Sequence, residues 1–338
     1  MTVSSATILI CTYNRAALLE TTLAEMAALT PPPDCSVEIL VVDNNSTDTT
    51  GEVIARAQQE SPIPIKTIRE TRQGKSFALN RGLEIAAGDI IALTDDDVWP
   101  ARDWLSRIVA NFRQRDVTFV FGKVLPRWAV PPPPELLMPR AQDVWGPLAI
   151  VDYGDTPAVY TPGNKGQRLP IGANLAFRRS TIEDIGGWRT DLGKVNNTLI
   201  SGEDHEIFTR MRRSGVYSGY YDPKLEVRHY VPPNRLTRKY FRRWFFWHGK
   251  TQSLMLGDLY TDLNLDETPH VLGVPRFVYR QAVEQTGRWI ARLGDPDALG
   301  LLIEELRAIQ FTGLLVQSWR SYFHSSRMRR ASSALTIW

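Results

Sequence analysis

Three consecutive aspartates, Asp95, Asp96 and Asp97, close a short apolar run in the stretch IIALTDDDVWP (90–100). Ionised carboxylates repel one another, and burial makes that repulsion worse. One Asp is enough to cap the helix that follows, so capping explains only part of the run. Mg²⁺ and Mn²⁺ take carboxylate oxygens as ligands together with phosphate oxygens. The run therefore predicts a site for a divalent cation and a nucleotide, with Asp95 and Asp97 dividing the two tasks.

Two further carboxylates, Glu203 and Asp204, open a segment of helical apolar periodicity in GEDHE (202–206). Acidic residues in a first turn interact favourably with the helix dipole, which is their simplest role. Beside a metal–diphosphate site, one of them also becomes a candidate general base. His229 follows the strand-like run LEVR (225–228), where it is either a structural histidine or a third protein ligand for the cation.

The stretch RETRQGKS (69–76) ends like half of a phosphate-binding loop. Arg69 stands where that motif requires a glycine, and no GxGxxG follows the first strand, so both common nucleotide motifs are absent. Arg72 and Lys75 nevertheless flank Gly74 where a helix begins. They either cap a loop in solvent or form an anion site at the helix N-terminus.

The elements that must position these residues alternate through the first half of the chain. We predict strands at 7–11, 37–43, 65–69, 90–94 and 119–124, and helices at 16–29, 48–59, 75–87 and 99–114. Alternation of this kind, with continuous apolar strands, is typical of a mostly parallel α/β sheet. Ligands of such sheets bind beyond the carboxyl ends of the strands. The polar residues expected at these ends are Thr12, Tyr13, Asn14, Asp43 and the three aspartates.

The second half begins with an irregular segment. The prolines of PRWAVPPPP (126–134) exclude a regular helix or a central strand there, and we expect an excursion over 126–168. Regular structure should resume near Ile171. Helices are then expected at 203–214, 235–256, 275–293 and 297–323.

The composition is that of an ordinary globular protein, with 338 residues and a net charge of +3. The two cysteines, Cys11 and Cys35, provide no disulfide framework. We expect no signal peptide and, because no run of about 18 apolar residues occurs, no transmembrane helix. These features predict a cytoplasmic protein. The basic residues of 235–250 fall on one helical face and most of the aromatic residues on the other. That helix either docks on the protein or lies on the inner face of an anionic membrane.

Seven short motifs occur in an order that resembles one known family. They are ILICTYNR (8–15), VVDNNSTD (41–48), RQGKSFALNRG (72–82), TDDDVWP (94–100), GANLAFRRS (172–180), IGGW (185–188) and SGEDHE (201–206). Together they make residues 5–230 similar to a family-2 glycosyltransferase with the GT-A fold. The resemblance implies a catalytic domain at 1–230, with a nucleotide-binding part at 1–125 and an acceptor-side part at 126–230, followed by a C-terminal helical region at 231–338.

The resemblance also implies an inverting transfer from a nucleotide-diphosphate sugar, with UDP or dTDP favoured, and with Mn²⁺ or Mg²⁺ as cofactor. Asp97 would hold the metal, Asp95 would contact the nucleoside and Asp43 would read the base. Asp204 would deprotonate the acceptor, while Glu203 and Trp188 would shape the acceptor side. The remaining nucleotide contacts would come from Thr12, Tyr13, Asn14, Arg15, Arg72, Lys75 and Asp96.

Other functions fit the residues less well. A nucleotidyltransferase would carry a glycine-rich loop where this chain has CTYNR, and a dehalogenase-type phosphatase would carry its Asp-x-Asp on the first strand. A non-catalytic sugar- or nucleic-acid-binding module remains the alternative, supported by the basic and aromatic segment 235–250. For an enzyme we expect a saccharide, lipid-linked or other hydroxyl acceptor and no nucleic acid. The acceptor, the donor sugar and the oligomeric state stay open.

Overall fold

The computed structural model describes residues 3–162, 168–195, 198–259 and 264–335; of residues 259, 266 and 325–335 it describes the backbone only. The strands are β1 Ser5–Thr12, β2 Ser36–Asp43, β3 Ile65–Arg69, β4 Ile90–Asp95, β5 Val98–Pro100, β6 Phe119–Trp128, β7 Ala158–Tyr160, β8 Leu175–Arg178, β9 Gly219–Val231, β10 His270–Val271 and β11 Val274–Pro275. The α-helices are α1 Ala16–Ala27, α2 Thr50–Glu60, α3 Lys75–Ile85, α4 Trp104–Gln114, α5 Arg179–Asp184, α6 Glu203–Arg213, α7 Arg238–Leu254, α8 Leu256–Leu259, α9 Arg276–Ala291 and α10 Ala298–Leu335.

A nine-stranded sheet has the order β3-β2-β1-β4-β8-β6-β9-β5, with β7 paired to β9. Strands β3, β2, β1 and β4 are parallel, which confirms the α/β class predicted from their apolar runs. Both faces of this part are covered: Ile8 and Ile10 point into one hydrophobic cluster and Leu9 into another. Beyond β4 the sheet becomes mixed, because β8 runs antiparallel to both β4 and β6.

Two local predictions differ from the structure. The segment expected as a helix from Trp99 begins instead with β5, which pairs antiparallel with β9, and α4 starts only at Trp104. The segment around Pro126 was expected to contain no central strand, but β6 continues through it to Trp128. Proline is tolerated because β8 pairs only with 119–121 of β6, so that Pro126 has a strand partner on the β9 side alone.

The rest of the predicted excursion is mostly irregular. It contains short 3₁₀ helices at Pro134–Leu137, Pro139–Val144 and Gly146–Leu148, and then β7. Residues 163–167 of the excursion lie outside the described residues.

The chain divides into two compact units. One contains residues 1–130, 148–197 and 203–232 and includes the whole nine-stranded sheet. The other contains residues 131–147, 198–202 and 233–338. The expected domain limits at 125 and 230 stay predictions, but the second unit also takes in two segments from the middle of the chain.

The second unit is built on α7, α9 and α10, with β10 and β11 as a separate hairpin. Two glycines let α7 and α10 approach closely. A Cβ atom on Gly249 would lie 1.8 Å from the carbonyl oxygen of Gln310, and one on Gly313 would lie 2.0 Å from that of Phe246. Any larger residue at either position would push the helices apart. Among the described residues, no helix is both long enough and apolar enough to cross a membrane.

Candidate functional site

The polar residues predicted at strand ends come together at the carboxyl edge of the parallel strands. The register of the sheet sets Thr12 of β1 opposite Asp43 of β2, and Cys11 opposite Asp95 of β4. Three neighbouring strands therefore end at one place. Burial raises the pKa of the Cys11 thiol to about 12, so this cysteine is a neutral part of the wall at physiological pH.

The aspartate run lies in the turn between β4 and β5, where Asp96 and Asp97 are 4% and 2% exposed. Nη1 of Arg15 lies 2.8 Å from Oδ1 of Asp96 and 2.7 Å from Oδ2 of Asp97. The hydroxyl of Thr12 donates a 2.8 Å hydrogen bond to Asp96. Burial raises the pKa of Asp96 to about 6, with a further increase from Asp97, although Arg15 opposes the shift. Arg15 is thus one positive charge that the protein itself supplies to the run.

Asp97 and His229 face each other because β5 pairs with β9, with Val98 opposite His229. Nε2 of His229 lies 3.4 Å from Oδ1 of Asp97, and both side chains are buried. A buried carboxylate oxygen beside an imidazole nitrogen fits a divalent cation that takes its other ligands from a diphosphate and water. The described residues contain no group of three His, Cys, Asp or Glu side chains that could hold a metal by themselves.

Lys75, at the start of α3, connects the two sets of carboxylates. Its Nζ lies 2.9 Å from Oδ1 of Asp95 and 3.9 Å from Oε1 of Glu203. Burial disfavours the charged ammonium, but Asp95, Asp204 and Glu203 outweigh it and raise the pKa of Lys75 well above its ordinary value. For Asp95, burial opposes ionisation, but Lys75 outweighs it, with help from Lys194 and His229, so the pKa of this carboxyl is lowered.

The carboxylates of α6 stand at its first two positions. Oδ2 of Asp204 accepts a 2.8 Å hydrogen bond from the backbone N–H of Gly172, which lies in the 3₁₀ turn before β8. The other oxygen, Oδ1, is buried and has no hydrogen-bond partner among the described residues. Asp204 lines a small cleft together with Lys75, Asp95 and Gly172. A carboxylate with one oxygen fixed and the other without a hydrogen-bond partner has the free lone pairs that a general base needs.

Glu203 is buried beside Asp204, and its Oε2 also lacks a hydrogen-bond partner in the described part of the chain. Burial and the negative charge of Asp204 raise the pKa of Glu203 to about 7, while Lys75 opposes the rise. Burial also lowers the pKa of the neighbouring His205, despite the charge of Asp204. Glu203 is therefore about half protonated at pH 7, and His205 is mostly neutral there, both next to Asp204.

Several other predicted site residues are exposed or have their contacts outside the aspartate run. Arg72 forms a bidentate pair with Glu70 and is largely exposed. Tyr13 is 42% exposed, and the Asn14 side chain accepts a hydrogen bond from the backbone N–H of Thr47. Their nucleotide contacts stay predictions.

Asp43 and Trp188 also have structural partners. Asp43 accepts a 2.8 Å hydrogen bond from the N–H of Ser46. Trp188 is 2% exposed within a hydrophobic cluster, where its backbone is held by the side chain of Asn80. The acceptor-side role of Trp188 stays a prediction. Because the side chain is buried, it would shape the acceptor side indirectly, through the residues of the cluster that surround it.

The sequence did not single out Gly172 or Lys194 as site residues. Gly172 acts through its backbone N–H, which leaves no signal in the residue type. Lys194 acts through its charge on Asp95 and Glu203, and it lies in the segment that joins IGGW to SGEDHE. Only the fold brings these two residues to the carboxylates.

One family model and several individual proteins match this chain. A model of glycosyl transferase family 2 matches residues 7–183. Succinoglycan biosynthesis protein ExoM of Rhizobium meliloti is 27% identical over 250 residues, which cover 74% of each chain. The glucosyl-dolichyl phosphate glucuronosyltransferase of Haloferax volcanii is 22% identical over 256 residues, covering 73% of this chain and 76% of that protein.

Among solved structures, the mannosyltransferase PcManGT from Pyrobaculum calidifontis, in complex with GDP-Man and Mn²⁺, matches with a TM-score of 0.55 at 21% identity. The match covers 96% of this chain and 86% of that one. It confirms the GT-A fold. Because the family model covers more than half of the 338 residues, the chain belongs to glycosyl transferase family 2, and its activity is glycosyl transfer.

Proposed function

We propose that this protein is an inverting glycosyltransferase that moves a sugar from a nucleotide-diphosphate sugar to an acceptor hydroxyl. The observation that carries the proposal is the pair of carboxylate groups on either side of Lys75. Asp95 to Asp97 lie on one side and Glu203 with Asp204 on the other. Such a pair provides separate places for a leaving diphosphate and for an acceptor that must lose a proton.

On the donor side, Asp97 and His229 would hold Mn²⁺ or Mg²⁺. When bound, the cation supplies Lewis-acid stabilisation to the leaving diphosphate. Arg15 holds Oδ2 of Asp97 at 2.7 Å, so that Oδ1 stays directed toward His229. Asp95, fixed by Lys75, would contact the nucleoside, and Thr12 orients Asp96. UDP or dTDP is the favoured nucleotide, because the segment around Asp43 resembles that of the family.

On the acceptor side, Asp204 would be the general base. The N–H of Gly172 fixes one oxygen, and Oδ1 would receive the proton as the acceptor oxygen attacks the anomeric carbon from the face opposite the diphosphate. Partial protonation of Glu203, whose pKa is about 7, reduces the negative charge beside Asp204, and Lys75 balances the charge of Asp204. The roles of two relatives, succinoglycan biosynthesis and glucuronosyl transfer, support a saccharide or lipid-linked acceptor.

A thermal-shift screen of UDP-, dTDP- and GDP-sugars, each with Mn²⁺ or with EDTA, tests the donor. A ligand that binds only the folded state raises the midpoint of unfolding. We expect a metal-dependent rise for one nucleotide, followed by release of that nucleoside diphosphate when an acceptor is added. Metal-independent stabilisation by all three sugars, without turnover, would favour a binding module instead.

A further inference from the structure

The β10–β11 hairpin of the second unit carries a large apolar residue at the tip of its turn. Pairing of Val271 with Val274 leaves Leu272 and Gly273 as a two-residue loop, with φ angles of 49° and 74°. Such a loop favours Asn, Asp or Gly at its first position, because larger side chains are strained there. Leu272 occupies that position and is 44% exposed. Leu272 is thus both unfavourable for this turn and exposed to solvent, which indicates that the tip makes a contact with another molecule.

The tip continues into an apolar surface on α10. A Cβ atom on Gly273 would meet the ring of Tyr322 at 2.8 Å, and the rings of Tyr322 and Phe323 lie 5.5 Å apart, edge to face. We call Val271, Leu272, Tyr322 and Phe323 the hairpin patch; these residues are 47%, 44%, 41% and 52% exposed.

The hairpin patch is fixed to the helices beneath it. The indole N–H of Trp319 donates a 2.7 Å hydrogen bond to the hydroxyl of Tyr279, which in turn donates a 3.0 Å hydrogen bond to the carbonyl of Val271. Val274 is fully buried in one cluster with Leu314. The patch is therefore preorganised, and a partner does not have to bear the entropy of ordering it.

The charge around the hairpin patch is mainly positive. Residues 268–283 contain two arginines and no acid, although the exposed Glu267 precedes them, and residues 308–338 contain four arginines and no acid. Arg280 and Arg320 are exposed, and the next acid along α9, Glu284, lies 3.7 Å from Arg280 on an exposed face. A partner must accept apolar side chains and carry negative charge. A second copy would set two basic surfaces against each other, which like charges oppose.

We propose that the hairpin patch docks on an anionic lipid bilayer, with its apolar side chains in the interfacial layer and the arginines at the headgroups. This surface is distinct from the basic start of α7. Arg242 of α7 pairs with Glu305 of α10, whereas Tyr322 lies 17 residues later, about 25 Å further along that helix. The proposal does not depend on the glycosyl-transfer mechanism.

Sedimentation of the full chain with vesicles tests the proposal. Wild-type protein should bind vesicles of phosphatidylcholine with phosphatidylglycerol and should bind phosphatidylcholine alone much more weakly. Leu272→Asn should reduce the partition coefficient about tenfold, the effect of removing one leucine from an apolar layer. Because Asn suits this turn, the variant should melt at or above the wild-type temperature. Leu137→Asn is the matched control, since Leu137 is 63% exposed elsewhere in the same unit.

Three results would overturn the proposal. The first is an absence of binding to the anionic vesicles at low salt. The second is that Leu272→Asn binds the vesicles as well as wild type does. If replacement of Arg238, Arg242 and Arg243 with Gln then abolishes binding, the start of α7 is the membrane surface instead. The third is a vesicle-free dimer, seen by sedimentation velocity, that Leu272→Asn dissociates, since a second copy would then cover the patch.

Discussion

Glu203 should make the stability of the protein fall as pH rises through neutrality. The side chain is 6% exposed, and its pKa is raised from 4.5 to about 7 by burial and by Asp204. The folded state therefore binds a proton between these pH values that the unfolded state has released. The associated stability is fully present below pH 4.5 and is lost as pH rises through 7. A shift of this size corresponds to roughly 3 kcal/mol in the free energy of unfolding.

The perturbation is Glu203→Gln, which keeps the shape of the side chain and removes its titration. Urea unfolding of metal-free protein at pH 4.5, 6 and 8 should show the variant gaining about 3 kcal/mol relative to wild type from the lowest to the highest pH. The neighbouring His205, whose pKa is lowered, titrates in both proteins and so cancels in the difference. Parallel stability curves for the two proteins would refute the reasoning, because Glu203 would then have an ordinary pKa when folded.

Three other substitutions, two of them with a control variant, test the remaining assignments. Asp97→Asn should abolish Mn²⁺-dependent binding of the sugar nucleotide in calorimetry while the circular dichroism spectrum stays unchanged. Asp204→Asn should keep the donor affinity but lower turnover at least about a hundredfold, whereas Asp191→Asn, at a surface carboxylate paired with Arg189, should keep wild-type turnover; equal rates for all three proteins would assign the base elsewhere. Gly249→Ala should cost at least about 2 kcal/mol in urea unfolding, since the new methyl group meets a backbone carbonyl. Gly287→Ala on α9 has open space and should stabilise by up to about 1 kcal/mol, so an equal loss at both glycines would contradict the close helix packing.

The parallel half of the sheet could be predicted from the sequence because its strands are buried on both faces. Runs such as those of β1 and β4 are then continuously apolar, whereas the flanking helices show the helical periodicity of about 3.6 residues. The carboxyl-edge rule then brought Thr12, Asp43 and Asp95 together without knowledge of the register.

The three-residue β5 could not be predicted, because Val98 and Trp99 form a strand only through pairing with β9, about 130 residues later in the chain. Local pattern instead joined Trp99 to the following helix. The same long-range pairing sets His229 beside Asp97, so this part of the candidate site depended on a contact that no local signal contains. The aspartate run predicted a cation, and the structure adds the guanidinium of Arg15, the N-cap residue of α1. A single sequence cannot show which carboxylates this arginine pairs with.

The second unit has a consequence for how the protein is made. Arg140 pairs with Asp297, and Asp143 pairs with Arg307, across separations of 157 and 164 residues. During synthesis, residues 131–147 are made long before their partners Asp297 and Arg307. The strands around this segment can already pair in that interval. Contacts of such high contact order close late and slowly. A chain that stops near residue 230 would leave this apolar, proline-rich segment without those partners, so shortened versions should aggregate unless the segment is removed with the C-terminal helices.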